Sequence, residues 1–484
     1  MKRQRAFIGL DAADLNFIRA HKGDLPYLAG ACGTGGLIEL ETPAAHLSGS
    51  VWPTFFTGLR PGEHGIHHHL QWDAAGMRVR RVTPDWLPAE PFWRTLDRAG
   101  LRVIAFDVPM LYPAKLEHGV EIVNWGSHDQ LSPFETHPGA IGSELISHFG
   151  RHPMGAEIPV SKSRTELRRI RQNLIEGAQR KAQVCKYLID SQPWDLFVAV
   201  FGESHRGGHI LWAAGEVDAS LKEALLEVYQ ALDRAVADVA TVLEQQRACL
   251  TLFALHGMGA NTSQEYFVRP VMERANTVFL QKDAAAVSPP GKFPLVKFLR
   301  ERVPASWQNA VAQNVPVSVR DWVVQRQVVS GLDWSATPGF ALLADLHGYV
   351  RFNLLGREAN GMLEPNSDQH VAYRDWLERC FHSLRVDPTD EPVVAEIIRS
   401  ELAYPGSASA HLPDLIIVWN DLPSASRVRS SLLGDFDANL ATGRSGNHRP
   451  VGFVAVQHDD HALRQAKQPR EVADLASFFS AACQ

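Results

Sequence analysis

The sequence predicts a doubly wound α/β fold, a mostly parallel sheet with helices on both faces, and three observations carry that expectation. Short apolar runs recur along the chain, each ends in a polar or glycine-rich loop, and helical patterns separate them. Runs that are apolar at every position fit strands covered on both faces, which is the situation of a parallel sheet packed between helix layers.

The runs come in order as RAFIGLDA (5–12), GGLIELET (35–42), RVIAFDVP (102–109), WDLFVAVFGE (194–203), CLTLFALHG (249–257), DLIIVW (414–419) and PVGFVAVQ (450–457). Between the fourth and fifth, Glu216 to Gln246 carries apolar residues at three- and four-residue steps and reads as one long amphipathic helix. Two stretches break the rhythm. Residues 137–190 hold the charged helical run SKSRTELRRIRQNLIEGAQRKAQ, read as a helical lid insertion, and residues 285–335 read as a second insertion. Boundaries are otherwise weakly marked, so the expectation is a single catalytic domain over 1–484.

A chain of 484 residues with 45% hydrophobic content can bury a large core. The net charge of −6 offers no global basic field, which argues against a nucleic acid polymer as partner and leaves room for a small anionic substrate at a local cation site. Five dispersed cysteines without a CxxC pair argue against a disulfide framework or a thiolate metal cluster. No apolar run is long enough for a signal peptide or a membrane span, so the expected location is cytoplasmic, with no membrane association. Oligomeric state leaves no trace.

Ligands of open α/β sheets bind outside the carboxyl ends of the strands. The polar residues there are Asp11 after the first run, Ser48 in the loop after the second, His205 and His209 after the fourth, His256 after the fifth, and His448 just before the last. His205 and His209 stand four apart, so on a helix they share one face, as metal ligands must. Neutral imidazole suits zinc and also iron. Each residue alone has a plain reading, Asp11 as a helix cap and the histidines as loop residues; their gathering on one sheet edge is the stronger signal. Ser48, Ser50 and Thr54 are three candidate nucleophiles that the residues alone do not separate. Asp107, Asn124, His128 and Asp129 close turns or touch substrate, with the turn favoured. Arg449 is a candidate anion contact, and Trp52 either walls a pocket or packs in the core. His64, His67, His68 and His69 read as structural.

FIGLDAADLNFI, SGSVWPTFFTGLRPGEHGI, FALHGMG and SGNHRPVG, in that order, resemble the motifs of the alkaline phosphatase superfamily, and within it the type I phosphodiesterase/nucleotide pyrophosphatase relatives. DWSATPGFALLADLHGYVRFNLLGREANGMLEP and LAYPGSASAHLPDLIIVW are similar to the later part of a prokaryotic phosphohydrolase/phosphomutase-like branch. The likeness spans residues 5–457. It implies an alkaline phosphatase-like fold and metal-dependent hydrolysis of a small anionic phosphate ester, a phosphodiester or nucleotide-pyrophosphate bond, through a phosphorylated Ser48. The register that selects Ser48 counts ten residues back from Gly58. The resemblance further implies a divalent metal, zinc with manganese or iron as alternatives, as one or two ions. His205, His209 and His448 would hold one ion, and Asp11, Ser48 and His256 the other. Apart from the resemblance, the residues themselves leave Trp52, Asn124, His128 and Arg449 as the candidate substrate contacts.

Two positions depart from the family pattern. His205 stands where the family has Asp at the head of D-x-x-x-H, and Leu255 stands where it has the Asp of S-D-H-G. Leucine ligates no metal, which leaves the Asp11 set one ligand short. The alternatives are phosphomonoesterase or phosphomutase chemistry, and a non-catalytic metal- or ligand-binding relative. The C-x-P-x-R signature of sulfatases is absent.

Overall fold

The structure, a computed structural model, describes residues 3–33, 36–113, 115–155, 163–281, 325–326, 328–438, 444–457 and 460–483. The chain divides into two compact units, Met1–His64 with Thr83–Asn261 and Gly443–Gln484, and Gly65–Val82 with Thr262–Thr442.

The first unit contains β1 (Arg5–Leu10), β2 (Leu37–Leu40), β3 (Val103–Phe106), β4 (Val120–Val123), β5 (Glu135–His137), β6 (Leu196–Phe201), β7 (Cys249–Ala254), β8 (Gly257–Ala260), β9 (Gly446–Arg449) and β10 (Gly452–Val456). Eight of them form one sheet in the order β2-β10-β7-β1-β6-β3-β4-β5, and β8 and β9 pair separately. β1 lies parallel to β6 and β7, with Arg5 opposite both Leu196 and Cys249. That shared register brings the residues after β1, β6 and β7 to the same edge. β10 runs antiparallel to β7, with Phe453 opposite Ala254. Its beginning therefore reaches the edge where the parallel strands β1, β6 and β7 end, and so does the hairpin strand β9 just before it.

The helices that cover this sheet include α1 (Val51–Thr57), α2 (Arg164–Ser191), α3 (Glu203–Leu211) and α4 (Ala224–Gln245). α2 starts at Ser163, whose side chain accepts the Glu166 N–H, and its apolar face, with Leu167, Ile170, Leu174, Ala178, Ala182, Cys185 and Leu188, is buried in the core beside α4. The stretch 137–190, read above as a lid, thus contains a sheet-covering helix; its residues 156–162 lie outside the described set. The basic residues of that run meet acids: Arg164 and Arg168 pair with Asp218, Arg169 with Glu166, and Arg171 with Glu227. The helix expected over 216–246 begins only at Ala224, because Asp218 turns its side chain onto the Ser220 N–H and ends the preceding turn. Of the proposed second insertion, 285–324 and 327 lie outside the described residues.

The second unit has its own core, built from helices Val268–Gln281 and Asp368–His382 and a four-stranded sheet. The run DLIIVW belongs here: Leu415–Trp419 pairs antiparallel with Gly348–Phe352 and Val394–Arg399. It looks like a parallel strand in sequence because nearly all of its residues are buried. Continuous apolarity reports burial on both faces and carries no information on strand direction.

Candidate metal and active site

The candidate ligands converge at the carboxyl edge of the first unit's sheet. Asp11 follows β1, and its backbone N–H bonds the Phe201 carbonyl (2.9 Å), which fixes it beside the end of β6. α3 begins two residues after β6 and carries His205 and His209 on successive turns. His256 stands between β7 and β8, and β8 pairs with β9 so that Met258 lies opposite His448. Glycine permits the helix and the hairpin to meet. A Cβ on Gly446 would lie 2.1 Å from the Gly208 carbonyl oxygen, and one on Gly208 would lie 2.4 Å from Met258 Cγ.

The Nε2 atoms of His205, His209 and His448 form a triangle with sides of 3.0, 3.0 and 3.2 Å. Ligand atoms around a tetrahedral zinc at ~2.0–2.1 Å stand about 3.3 Å apart, so the triangle has the size of one face of such a site. His209 Nδ1 lies 2.9 Å from the Gly446 carbonyl, an acceptor only, so Nδ1 carries the proton and Nε2 a lone pair. All three rings are buried. Burial first, then the neighbouring histidines, holds His205 and His448 well below the ordinary imidazole range, in the neutral form that binds cations. Asp11 lies alongside, 1% exposed, with neither carboxylate oxygen hydrogen-bonded. Its Oδ1 faces His256 Nε2 at 3.7 Å, and His256 Nδ1 donates to the Gly257 carbonyl at 3.1 Å. A lone pair aimed at a bare carboxylate, both buried, fits a cation between them. The donor set matches a divalent metal.

The three hydroxyls separate in their surroundings. Thr54 on α1 is 2.9 Å from His64 Nε2, deep in the core. Ser50 is fully buried at the start of α1. Ser48 opens a short 3-10 turn, and its Oγ is buried without a hydrogen-bond partner. The preceding turn, Pro43–Ala45, packs beside β9, the strand of His448.

Three of the four residues read as substrate contacts are engaged elsewhere. Trp52 packs edge-on against Phe55 and Phe253. Asn124 Nδ2 donates to the Ser132 carbonyl (2.9 Å), and Arg449 Nη2 to the Ala260 carbonyl (2.7 Å). The fourth, His128, enters the cluster: its Nδ1 is 3.1 Å from Asp11 Oδ2, and its ring stacks on His205 with centroids 3.8 Å apart. Asp107 acts through backbone, accepting the Gly126 and Ser127 N–H groups and so setting the turn that carries His128. Among His64, His67, His68 and His69, none belongs to a metal-sized group of the described residues.

Sequence reasoning missed the buried ionic network beneath the site. Lys181, fully buried on α2, donates to Asp107 Oδ2 (2.6 Å) and to the Val200 carbonyl (2.7 Å). Glu203, at the start of α3, lies 2.9 Å from His152 Nε2. Burial opposes the charge on Lys181, but the carboxylates of Asp107 and Glu203 win and raise its pKa. Burial likewise works against ionised Glu203, yet Lys181 and His152 hold it down at about 2. The available signal was spacing: Lys181 falls at a helical step among Leu174, Ala178, Ala182 and Cys185, on the apolar face.

The fold is alkaline phosphatase-like, with the candidate ligands gathered at the carboxyl edge of its main sheet. The profile of the type I phosphodiesterase/nucleotide pyrophosphatase family matches residues 6–421, and the chain belongs to that family of phosphoric ester hydrolases. No curated protein matches it by sequence. Phosphonoacetate hydrolase from Sinorhizobium meliloti 1021, solved with phosphonoformate, is 14% identical with a TM-score of 0.52, covering 100% of this chain and 96% of its own. A murine ectonucleotide pyrophosphatase/phosphodiesterase 5, an inactive variant in complex with AMP, is 12% identical with a TM-score of 0.50 over 100% and 95%. A variant of the alkaline phosphatase PafA is 14% identical with a TM-score of 0.51 over 100% and 96%. At these identities the likeness concerns the fold. Among the described residues no helix is long and apolar enough to cross a membrane.

Proposed function

We propose that the chain hydrolyses a small phosphate ester, a phosphodiester or a nucleotide-pyrophosphate-type bond, in two steps through Ser48. The observation that carries this reading is the buried Nε2 triangle of His205, His209 and His448 beside the unbonded carboxylate of Asp11. Three neutral imidazoles would hold one divalent cation, zinc by their chemistry, and Asp11 with His256 would face another. Such a cation supplies Lewis acidity: it favours the ionised form of a neighbouring hydroxyl and offsets charge on phosphoryl oxygens. Ser48 Oγ, buried and without a competing hydrogen bond, is the nucleophile of the set. Its attack forms the Oγ–P bond as the bond to the leaving alcohol or phosphate breaks. Water then opens the phosphoserine, returning the hydroxyl and releasing the phosphoryl product. The names of the similar structures, with AMP and phosphonoformate as ligands, support a small phosphoryl-bearing substrate.

The test compares bis-p-nitrophenyl phosphate with p-nitrophenyl phosphate for wild type and for Ser48→Ala, Ser50→Ala and Thr54→Ala. Ser48→Ala should lose at least about 10³-fold in kcat while remaining folded. Full activity in Ser48→Ala, with loss in one of the others, refutes the assignment; preference for the monoester makes the enzyme a monoesterase or mutase.

A further inference from the structure

The second ion set implied by family likeness lacks a ligand, because Leu255 offers none, and the structure brings another residue to the gap. Asp11 Oδ2 is 3.1 Å from His128 Nδ1 and 4.0 Å from His205 Nδ1, and one ligand atom from each of the three residues lies within 4.8 Å of the others. Asp11, His128 and His205 are 1%, 5% and 4% exposed. Both oxygens of Asp11 and the Nδ1 atoms of His128 and His205 are buried without hydrogen bonds. A buried polar atom that nothing satisfies is costly, so Asp11 Oδ2 facing the two orphaned Nδ1 atoms marks a place where a cation belongs.

The two ring nitrogens of His128 face carboxylates on opposite sides, Nδ1 toward Asp11 and Nε2 toward Asp129 Oδ2 at 3.6 Å. The turn that presents it is held rigidly. Asp107 accepts from Gly126 and Ser127, Ser127 Oγ donates to Asn124 Oδ1 (3.1 Å), and Arg206 Nη2 donates to the Ser127 carbonyl (3.0 Å). Positive φ at Asp107, Asn124 and Asp129 (60°, 60° and 48°) adds backbone strain around His128, of the sort that collects at functional sites.

We propose that Asp11, His128 and the Nδ1 edge of His205 form a second divalent-cation site, in which His128 supplies the ligand that Leu255 cannot. This rests on the reading of the cluster as a metal centre. His205 then faces both sites, Nε2 toward His209 and His448 and Nδ1 toward Asp11. A neutral imidazole has one lone pair, so filling both sites releases the ring proton of His205 to solvent.

Metal content decides it without recourse to activity. Full-length protein is stripped with chelator, titrated with Zn²⁺ or Co²⁺ by calorimetry, and assayed by elemental analysis, with far-UV circular dichroism confirming the fold. Wild type should bind two equivalents. His128→Ala should bind one, with the visible absorption of the remaining Co²⁺ unchanged from that of the three-histidine set; His128→Gln, a milder change, should weaken the second equivalent at least tenfold. His209→Ala should lose the other ion and keep the one at Asp11. Two equivalents of unaltered affinity in both His128 variants overturn the proposal, as does a single wild-type equivalent that His209→Ala abolishes; the three-histidine reading survives either result. No uptake by wild type removes the metal centre itself, a distinct failure.

Discussion

Lys181 is the residue whose loss should be felt most widely. It is fully buried, and its ammonium is the cation that Asp107 and Glu203, themselves 1% exposed, share. Lys181→Met keeps most of the side-chain stem and hence the packing, so the penalty comes from charge rather than from a cavity. Removing one partner of a buried pair costs about 3–5 kcal/mol because the other charge is left uncompensated. Here two carboxylates are uncovered, although His152 still touches Glu203, which points to the upper part of that range. With a tenfold change for every ~1.4 kcal/mol, the loss corresponds to roughly two to four orders of magnitude in an opening equilibrium. Hydrogen exchange of the β6 amides, Leu196–Phe201, reads that equilibrium directly and avoids a single global transition for a chain of two units. Lys181→Met should accelerate their exchange by that factor, and adding Asp107→Asn should recover part of it. An acceleration below about tenfold would refute the idea that this network holds the floor of the site.

Gly208→Ala should separate α3 from the β8–β9 hairpin, since its Cβ would sit 2.4 Å from Met258 Cγ; a stability loss of about 1–3 kcal/mol and weakened metal uptake are expected by denaturation and calorimetry. Burial lowers the His64 pKa to about 3, so the folded state refuses a proton that the unfolded chain accepts below ~6.5. Its contribution is present above that pH and is lost at about 1.4 kcal/mol per pH unit as pH falls toward 3, a slope that His64→Gln should remove from a pH series of unfolding curves. Glu203 has its pKa depressed from 4.5 to about 2, so its contribution is present above 4.5 and disappears as pH falls toward 2; Glu203→Gln should flatten that limb. Chelation should lower the unfolding free energy of wild type, by about 2.7 kcal/mol if free ion had stood at a hundred times Kd, and His209→Ala should show a smaller drop in differential scanning calorimetry.

Much of this protein can be read from local pattern. Nearly unbroken apolar runs ending at Asp11, Gly202 and Leu255 announce strands of a covered sheet, since a segment buried on both faces must be apolar along most of its length. The i, i+4 step from His205 to His209 places two ligands on one helical face for the same local reason. Tertiary structure decided what depends on distant partners. That DLIIVW pairs antiparallel in the second unit follows from which strands lie beside it, and the reach of His448 to His205 and His209 follows from β10 running against β7 and from glycine at 208 and 446. His128 looked like a turn residue because its meaning lies in the 3.1 Å to Asp11, 117 positions away. Lys181 looked like part of a charged helix because its partners, Asp107 and Glu203, come from other elements of the fold. Periodicity encodes which face of an element is buried; it holds no record of which charges meet there, because that is set by sheet order and register, quantities no single segment contains.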